Sequence, residues 1–93
     1  WMGVPVVRLE CEIHAGRVGK SLLTAAGMPE LIAKDEAEYI RIAKDLAADP
    51  AKLATRRAAM RDALAASALL NARAHAAQFQ TALRAMWQQF CRA

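Results

Sequence analysis

The sequence predicts an α/β chain that is mostly helical: one βαβ unit followed by three helices. Three observations lead there. Val4-Pro5-Val6-Val7-Arg8-Leu9 is a short β-branched run, and Pro29-Glu30-Leu31-Ile32-Ala33 is a second extended segment, with helical spacing between them. Alanine makes up about a quarter of the chain, so helix is the favoured structure for most of its length. After Ala33 the apolar residues recur at steps of three and four, and no further strand appears.

Each element has a local reason. In the first strand Pro5 sits near the start, where a missing N–H does least harm, and a continuous apolar run of this kind suits a buried parallel strand. Residues Glu10 to His14 form a connection. From Ala15 the pattern is helical, with Val18, Leu22 and Ala25 on one side and Gly27 as the stop. Strand, helix and short strand make a βαβ unit, whose crossover is expected to be right-handed.

Asp35 is a good N-cap, and Glu36 and Glu38 lie in the first turn, where carboxylates complement the helix dipole. This helix runs to about Ala48 and should bury Tyr39, Ile42, Ala43 and Leu46. Asp49-Pro50 starts the next helix with Pro50 at its first position, where no donor is needed. Leu53, Met60 and Leu64 form its core stripe, while Arg56, Arg57 and Arg61 face elsewhere and read as a solvated surface. Asn71 caps the last helix, whose apolar face carries Phe79, Leu83, Met86, Trp87 and Phe90.

Length and composition set limits on function. At 93 residues the chain is at most one small domain with little buried surface, so residues 1–93 read as a single partial domain, 1–33 the βαβ unit and 35–93 the helices. Trp1-Met2-Gly3 reads like an entry into the middle of a protein. The aromatic content of 5% leaves few bulky side chains for a core. The helices before the last offer little against which its large face could pack, so that face is expected to dock onto something outside this sequence.

The formal charge of +4 arises from 13 Lys and Arg against 9 Asp and Glu, mostly through the excess in Arg56 to Arg92. No aromatic-basic interleaving accompanies it, so nucleic acid is not an expected partner. Cys11 and Cys91 lie near opposite ends without metal or disulfide spacing, which fits a reducing cytoplasm. No apolar run is long enough to span a membrane, and no signal peptide pattern is present, so no membrane association is expected.

One motif needs a decision. His14-Ala15-Gly16-Arg17-Val18-Gly19-Lys20-Ser21 ends in the Gly-Lys-Ser of a phosphate-binding loop. That loop requires glycine five residues before Gly19, and His14 stands there; the helices after Ala33 leave no strand to carry a magnesium-binding Asp. A nucleoside triphosphatase is therefore not supported. What survives is a strand, a turn and a helix N-terminus, a place where unpaired N–H groups can face an anion, with His14, Arg17 and Lys20 as donors. Ordinary solvated residues would leave the same pattern.

His75, bordering the last helix's apolar face, reads as a packed histidine, and Cys91 as part of the packed end. No catalytic triad, carboxylate pair or metal-ligand spacing appears.

Several blocks in order carry a resemblance: WMGVPVV, HAGRVGKSLLTAAGMPELIA, DEAEYIRIAKDLAADPAKLATRRAAMRDALAAS and ALRAMWQQF. They resemble the carboxyl-terminal end of the O-linked N-acetylglucosamine transferase family in its bacterial, SPINDLY-like form. The resemblance covers nearly the whole chain. It departs from the family's pattern at Arg8, Glu10-Cys11, Lys20 and Ser67-Ala68.

The resemblance implies a fragment of the second Rossmann-like lobe of a two-lobed GT-B glycosyltransferase, which transfers N-acetylglucosamine from UDP-N-acetylglucosamine to Ser or Thr of proteins. Such enzymes need no metal or other cofactor and often carry tetratricopeptide repeats upstream. His14, Gly16, Arg17 and Gly19 are then expected near the nucleotide-sugar cleft. Phe79, Leu83, Met86, Trp87 and Phe90 would dock on the other lobe, and the isolated segment would be inactive. The alternative is a stand-alone helical interaction module that uses the same face.

Overall fold

The computed structural model describes residues 1–92; Ala93, the last residue of the expected helical half, lies outside them. It is mostly helical with one small parallel sheet. In chain order the elements are β1 (Arg8–Leu9), α1 (His14–Ala25), a 3-10 turn (Pro29–Leu31), β2 (Ile32–Ala33), α2 (Glu36–Ala48), α3 (Pro50–Ala65), a second 3-10 turn (Ala68–Leu70) and α4 (Ala72–Arg92).

The βαβ unit is present, with β1 and β2 paired in parallel as Arg8 with Ile32 and Leu9 with Ala33. Both strands are shorter than expected. Pro29 suits the first position of a tight turn, and the turn closes through the Leu31 amide on the Met28 carbonyl. Only Ile32 and Ala33 remain to pair, so the run from Val4 to Val7 has no ladder opposite it. Val4 and Val6 are accordingly exposed rather than buried.

α1 stops as its sequence requires. Gly27 adopts φ +74°, its N–H donates to the Thr24 carbonyl, and the Met28 N–H donates to the Leu23 carbonyl. These two bonds satisfy the carbonyls that a helix end leaves open, and glycine adopts the left-handed conformation without a Cβ penalty.

The caps also match. The Asp35 carboxylate accepts from the Glu38 N–H at 2.8 Å, Asp49 accepts from Lys52 N–H at 2.9 Å, and the Asn71 side chain accepts from Ala74 N–H at 3.0 Å. Glu38 accepts in turn from the Lys34 N–H, so the entry to α2 is fixed from both sides.

The core is a small cluster of Met28, Leu31, Ala33, Ile42 and Met60, with Val7, Leu9, Leu23 and Leu46 packed against it. On α2 the buried stripe is narrower than the spacing suggests. Ile42 is buried and Leu46 half-buried, but Tyr39 and Ala43 are exposed. The reason is that α2 meets β1, β2 and α3, and no further layer covers the flank that carries Tyr39 and Ala43.

α3 buries Met60 and half-buries Leu53 and Leu64, as expected. α4 buries nothing. With α4 included the described residues extend over 58 × 29 × 14 Å, a long, flat shape in which nothing wraps around the apolar face of this helix.

Candidate functional site

At the carboxyl end of β1, the Glu10 N–H donates to the Ala33 carbonyl at 2.7 Å and extends the ladder by one bond. The chain then bends into α1. Ile13 is the N-cap residue, in extended conformation, and gives no side-chain cap; no acidic residue lies in the first turn. The first amides of the helix therefore have no partner within it, and its positive end is not offset by a carboxylate there. His14 and Arg17 are exposed on this turn.

Gly19-Lys20-Ser21 lies inside α1, not in a loop, so it cannot wrap a phosphate with backbone amides. The two glycines have a packing reason instead. Gly16 is buried, and a Cβ there would lie 2.3 Å from the Cβ of Cys11. A Cβ on Gly19 would lie 2.8 Å from Nε of Arg8.

Arg8 lies along this glycine-lined side of α1 and donates from Nη2 to the carbonyls of Ala15 at 3.2 Å and Gly16 at 3.4 Å. Its Nε is buried without a hydrogen-bond partner. Lys20 does not join His14 and Arg17 as an anion donor. Its ammonium is paired with the Glu10 carboxylate, which also removes an uncompensated negative charge from the neighbourhood of the turn. His14 and Arg17 are thus the members of the expected set that can face a ligand.

Arg57 and Arg61 of α3 are exposed, as their spacing suggests, and Arg56 is half-buried, but all three are also engaged. Arg56 pairs with Glu30, Arg57 Nε donates to the Gly3 carbonyl at 2.7 Å, and Arg61 Nε donates to the Trp1 carbonyl at 3.3 Å. The Arg61 guanidinium also lies over the Trp1 ring, 5.1 Å from its centroid. Spacing along α3 carries no signal for this, because the partners lie 26 to 60 residues away in sequence.

A groove of about 860 Å³ lies away from the turn, between α2, α3 and the segment Pro29–Ile32, with Leu31, Ile42, Leu46 and Leu53 among its lining. Its arginines are already engaged: Arg41 with Glu38 and Asp45 at 3.1 and 3.2 Å, and Arg56 with Glu30. Volume alone therefore does not make it the site. Among the described residues no three His, Cys, Asp or Glu side chains gather as metal ligands, and no helix is long and apolar enough to cross a membrane.

The α4 face is uncovered from end to end. Phe79, Leu83, Met86, Trp87 and Phe90 are 50% to 72% exposed. Trp87 and Phe90 stack with centroids 5.8 Å apart, and His75 stacks on Phe79 at 6.4 Å. His75 and Cys91, expected to be packed, are exposed for the same reason: nothing lies over this helix.

The family description that matches is glycosyl transferase family 41, over residues 1–79. The chain is 40% identical over 92 residues to a protein of Arabidopsis thaliana named as a probable UDP-N-acetylglucosamine–peptide N-acetylglucosaminyltransferase SPINDLY. The alignment takes in 99% of this chain and 10% of the relative.

A protein of Caenorhabditis elegans named as a UDP-N-acetylglucosamine–peptide N-acetylglucosaminyltransferase is 37% identical over 90 residues, which is 97% of this chain and 8% of the relative. The chain thus spans about a tenth of the length of the curated relatives it matches, in their carboxyl-terminal region. With most of its length matched and the similarity running on through α4, the chain belongs to glycosyl transferase family 41.

Proposed function

We propose that this chain is the carboxyl-terminal part of an enzyme that transfers N-acetylglucosamine from UDP-N-acetylglucosamine to Ser or Thr of proteins, and that it is inactive alone. The observation that carries the reading is the end-to-end similarity to relatives so named, joined to a parallel βαβ unit whose open helix N-terminus bears His14 and Arg17. In this reading the unit belongs to the second Rossmann-like lobe of a GT-B fold.

The turn at His14 to Arg17, with Gly16 and Gly19 behind it, flanks the donor cleft. Amides at the end of a helix and an exposed guanidinium are suited to the diphosphate of a nucleotide sugar. No metal is needed to hold that charge in this scheme. Attack on the sugar and departure of UDP then rely on residues outside this chain. The exposed thiols Cys11 and Cys91 suit a reducing cytoplasm as the place of work.

The α4 face supports the other half of the reading. An apolar strip with Trp87 and two Phe residues, on a chain about a tenth as long as its relatives, fits docking against the rest of the same enzyme. Calorimetric titration of the full-length protein with UDP tests the cleft. Arg17→Ala should weaken binding about tenfold, as expected for a charge-assisted contact. Equal affinity in wild type and variant would remove Arg17 from the cleft.

A further inference from the structure

The α1 turn is linked to α3 through the first nine residues of the chain. Arg57 and Arg61 hold two carbonyls, those of Gly3 and Trp1, and Arg61 also covers the Trp1 ring. Gly3 is buried at φ +67°, and a Cβ on it would lie 2.8 Å from the Arg57 carbonyl oxygen, so backbone meets backbone there. From Gly3 the chain runs into β1. There Arg8 donates to the carbonyls of Ala15 and Gly16, in the first turn of α1.

We propose that Arg57 and Arg61 are positioning residues for the His14 to Arg17 turn. They act by clamping the Trp1 to Gly3 segment and, through β1 and Arg8, setting where the start of α1 sits. The proposal rests on the reading of that turn as the flank of a donor cleft, but its mechanical part can be tested separately. Guanidinium groups suit the task. The planar fork of Arg61 can donate to a carbonyl and lie on an aromatic ring together, which an ammonium does less well. The clamp therefore gives different expectations for arginine, lysine and alanine.

The test uses the full-length protein and two readouts. The first is hydrogen exchange in the peptide covering Glu10 to Arg17, whose ladder amide at Glu10 and first helical amide at Arg17 report on this region. Arg57→Ala is expected to speed exchange there about tenfold, and Arg57→Lys, which keeps a donor, to recover part of that. Unchanged exchange in Arg57→Ala and Arg61→Ala would overturn the positioning role, whatever the protein binds.

The second readout is steady-state transfer from UDP-N-acetylglucosamine. Arg57→Ala should raise KM for the donor about fivefold with kcat nearly unchanged, since the clamp touches no reacting atom. A fall in kcat at constant KM would overturn the link to the donor. If the wild type transfers no sugar while exchange still responds, the clamp stands and the functional reading falls.

Discussion

Arg57 Nε donates to the carbonyl oxygen of Gly3 at 2.7 Å, joining residues 54 apart in sequence. The contact works in both directions, because a Cβ on Gly3 would lie 2.8 Å from the Arg57 carbonyl oxygen. Gly3 and Gly27 both have positive φ, yet open space surrounds Gly27. Gly27→Ala should therefore cost about 1 kcal/mol, the left-handed penalty alone. Gly3→Ala should cost about 3 kcal/mol, since steric overlap adds to it. Denaturant melts of the two variants should separate them clearly, and equal costs would mean that the clamp does not hold Gly3 in place.

The helix glycines should also differ from each other. Gly16→Ala sets a Cβ against Cys11 close to the backbone and should destabilise by about 2 kcal/mol despite alanine's better helix propensity. Gly19→Ala meets a long side chain, Arg8, that can shift aside, so its net effect should stay within about 1 kcal/mol. In an Arg8→Ala background, Gly19→Ala should become stabilising by about 1 kcal/mol, because the obstruction is gone and the propensity gain remains. A double-mutant cycle reads this directly.

Much of this architecture was visible in the residues. Asp35, Asp49, Pro50, Asn71 and Gly27 marked helix ends correctly, because caps and stops act through bonds within a few residues. Strand length was overestimated because Val4 to Val7 has the right composition but no partner opposite it, and composition does not report pairing. The expected burial of Tyr39 and Ala43 failed on similar grounds, since a helix spacing names a face but not what covers it.

Within the candidate site, the place of His14 and Arg17 at a helix start was legible. The diversion of Lys20 to Glu10 and of Arg57 and Arg61 to the amino-terminal segment was not. Those pairings depend on how elements are brought together in space, which local spacing does not encode.

Caps offer a plain check on the helical half. Asp35→Ala and Asp49→Ala each remove an oxygen that accepts from a first-turn N–H, and each should lower stability by about 1 kcal/mol. Asp35→Asn should retain most of it, because the amide oxygen can still accept. A loss as large as that of alanine would point to charge rather than the hydrogen bond. Thermal melts in low and high salt separate the two.

The core and the α4 face should differ in how they respond to context. Met60→Ala removes a buried side chain and should cost about 2 kcal/mol in the segment alone and in the full-length protein. Trp87→Ala and Phe79→Ala should change the segment's own stability by less than about 0.5 kcal/mol, since both rings are exposed there. In the full-length protein the same two substitutions should each cost about 3 kcal/mol. A face used only by a separate partner would show no such difference.

The central claim is the transfer reaction, and it can be measured directly. The full-length protein is incubated with UDP-N-acetylglucosamine and peptides that differ only in having Ser, Thr or Ala at one position, without added metal, and the peptides are weighed by mass spectrometry. The account expects one N-acetylhexosamine on the Ser and Thr peptides, none on the Ala peptide, and none with the 93-residue segment alone. Transfer by the segment alone, or no modified peptide from a full-length protein that binds UDP-N-acetylglucosamine, would contradict it.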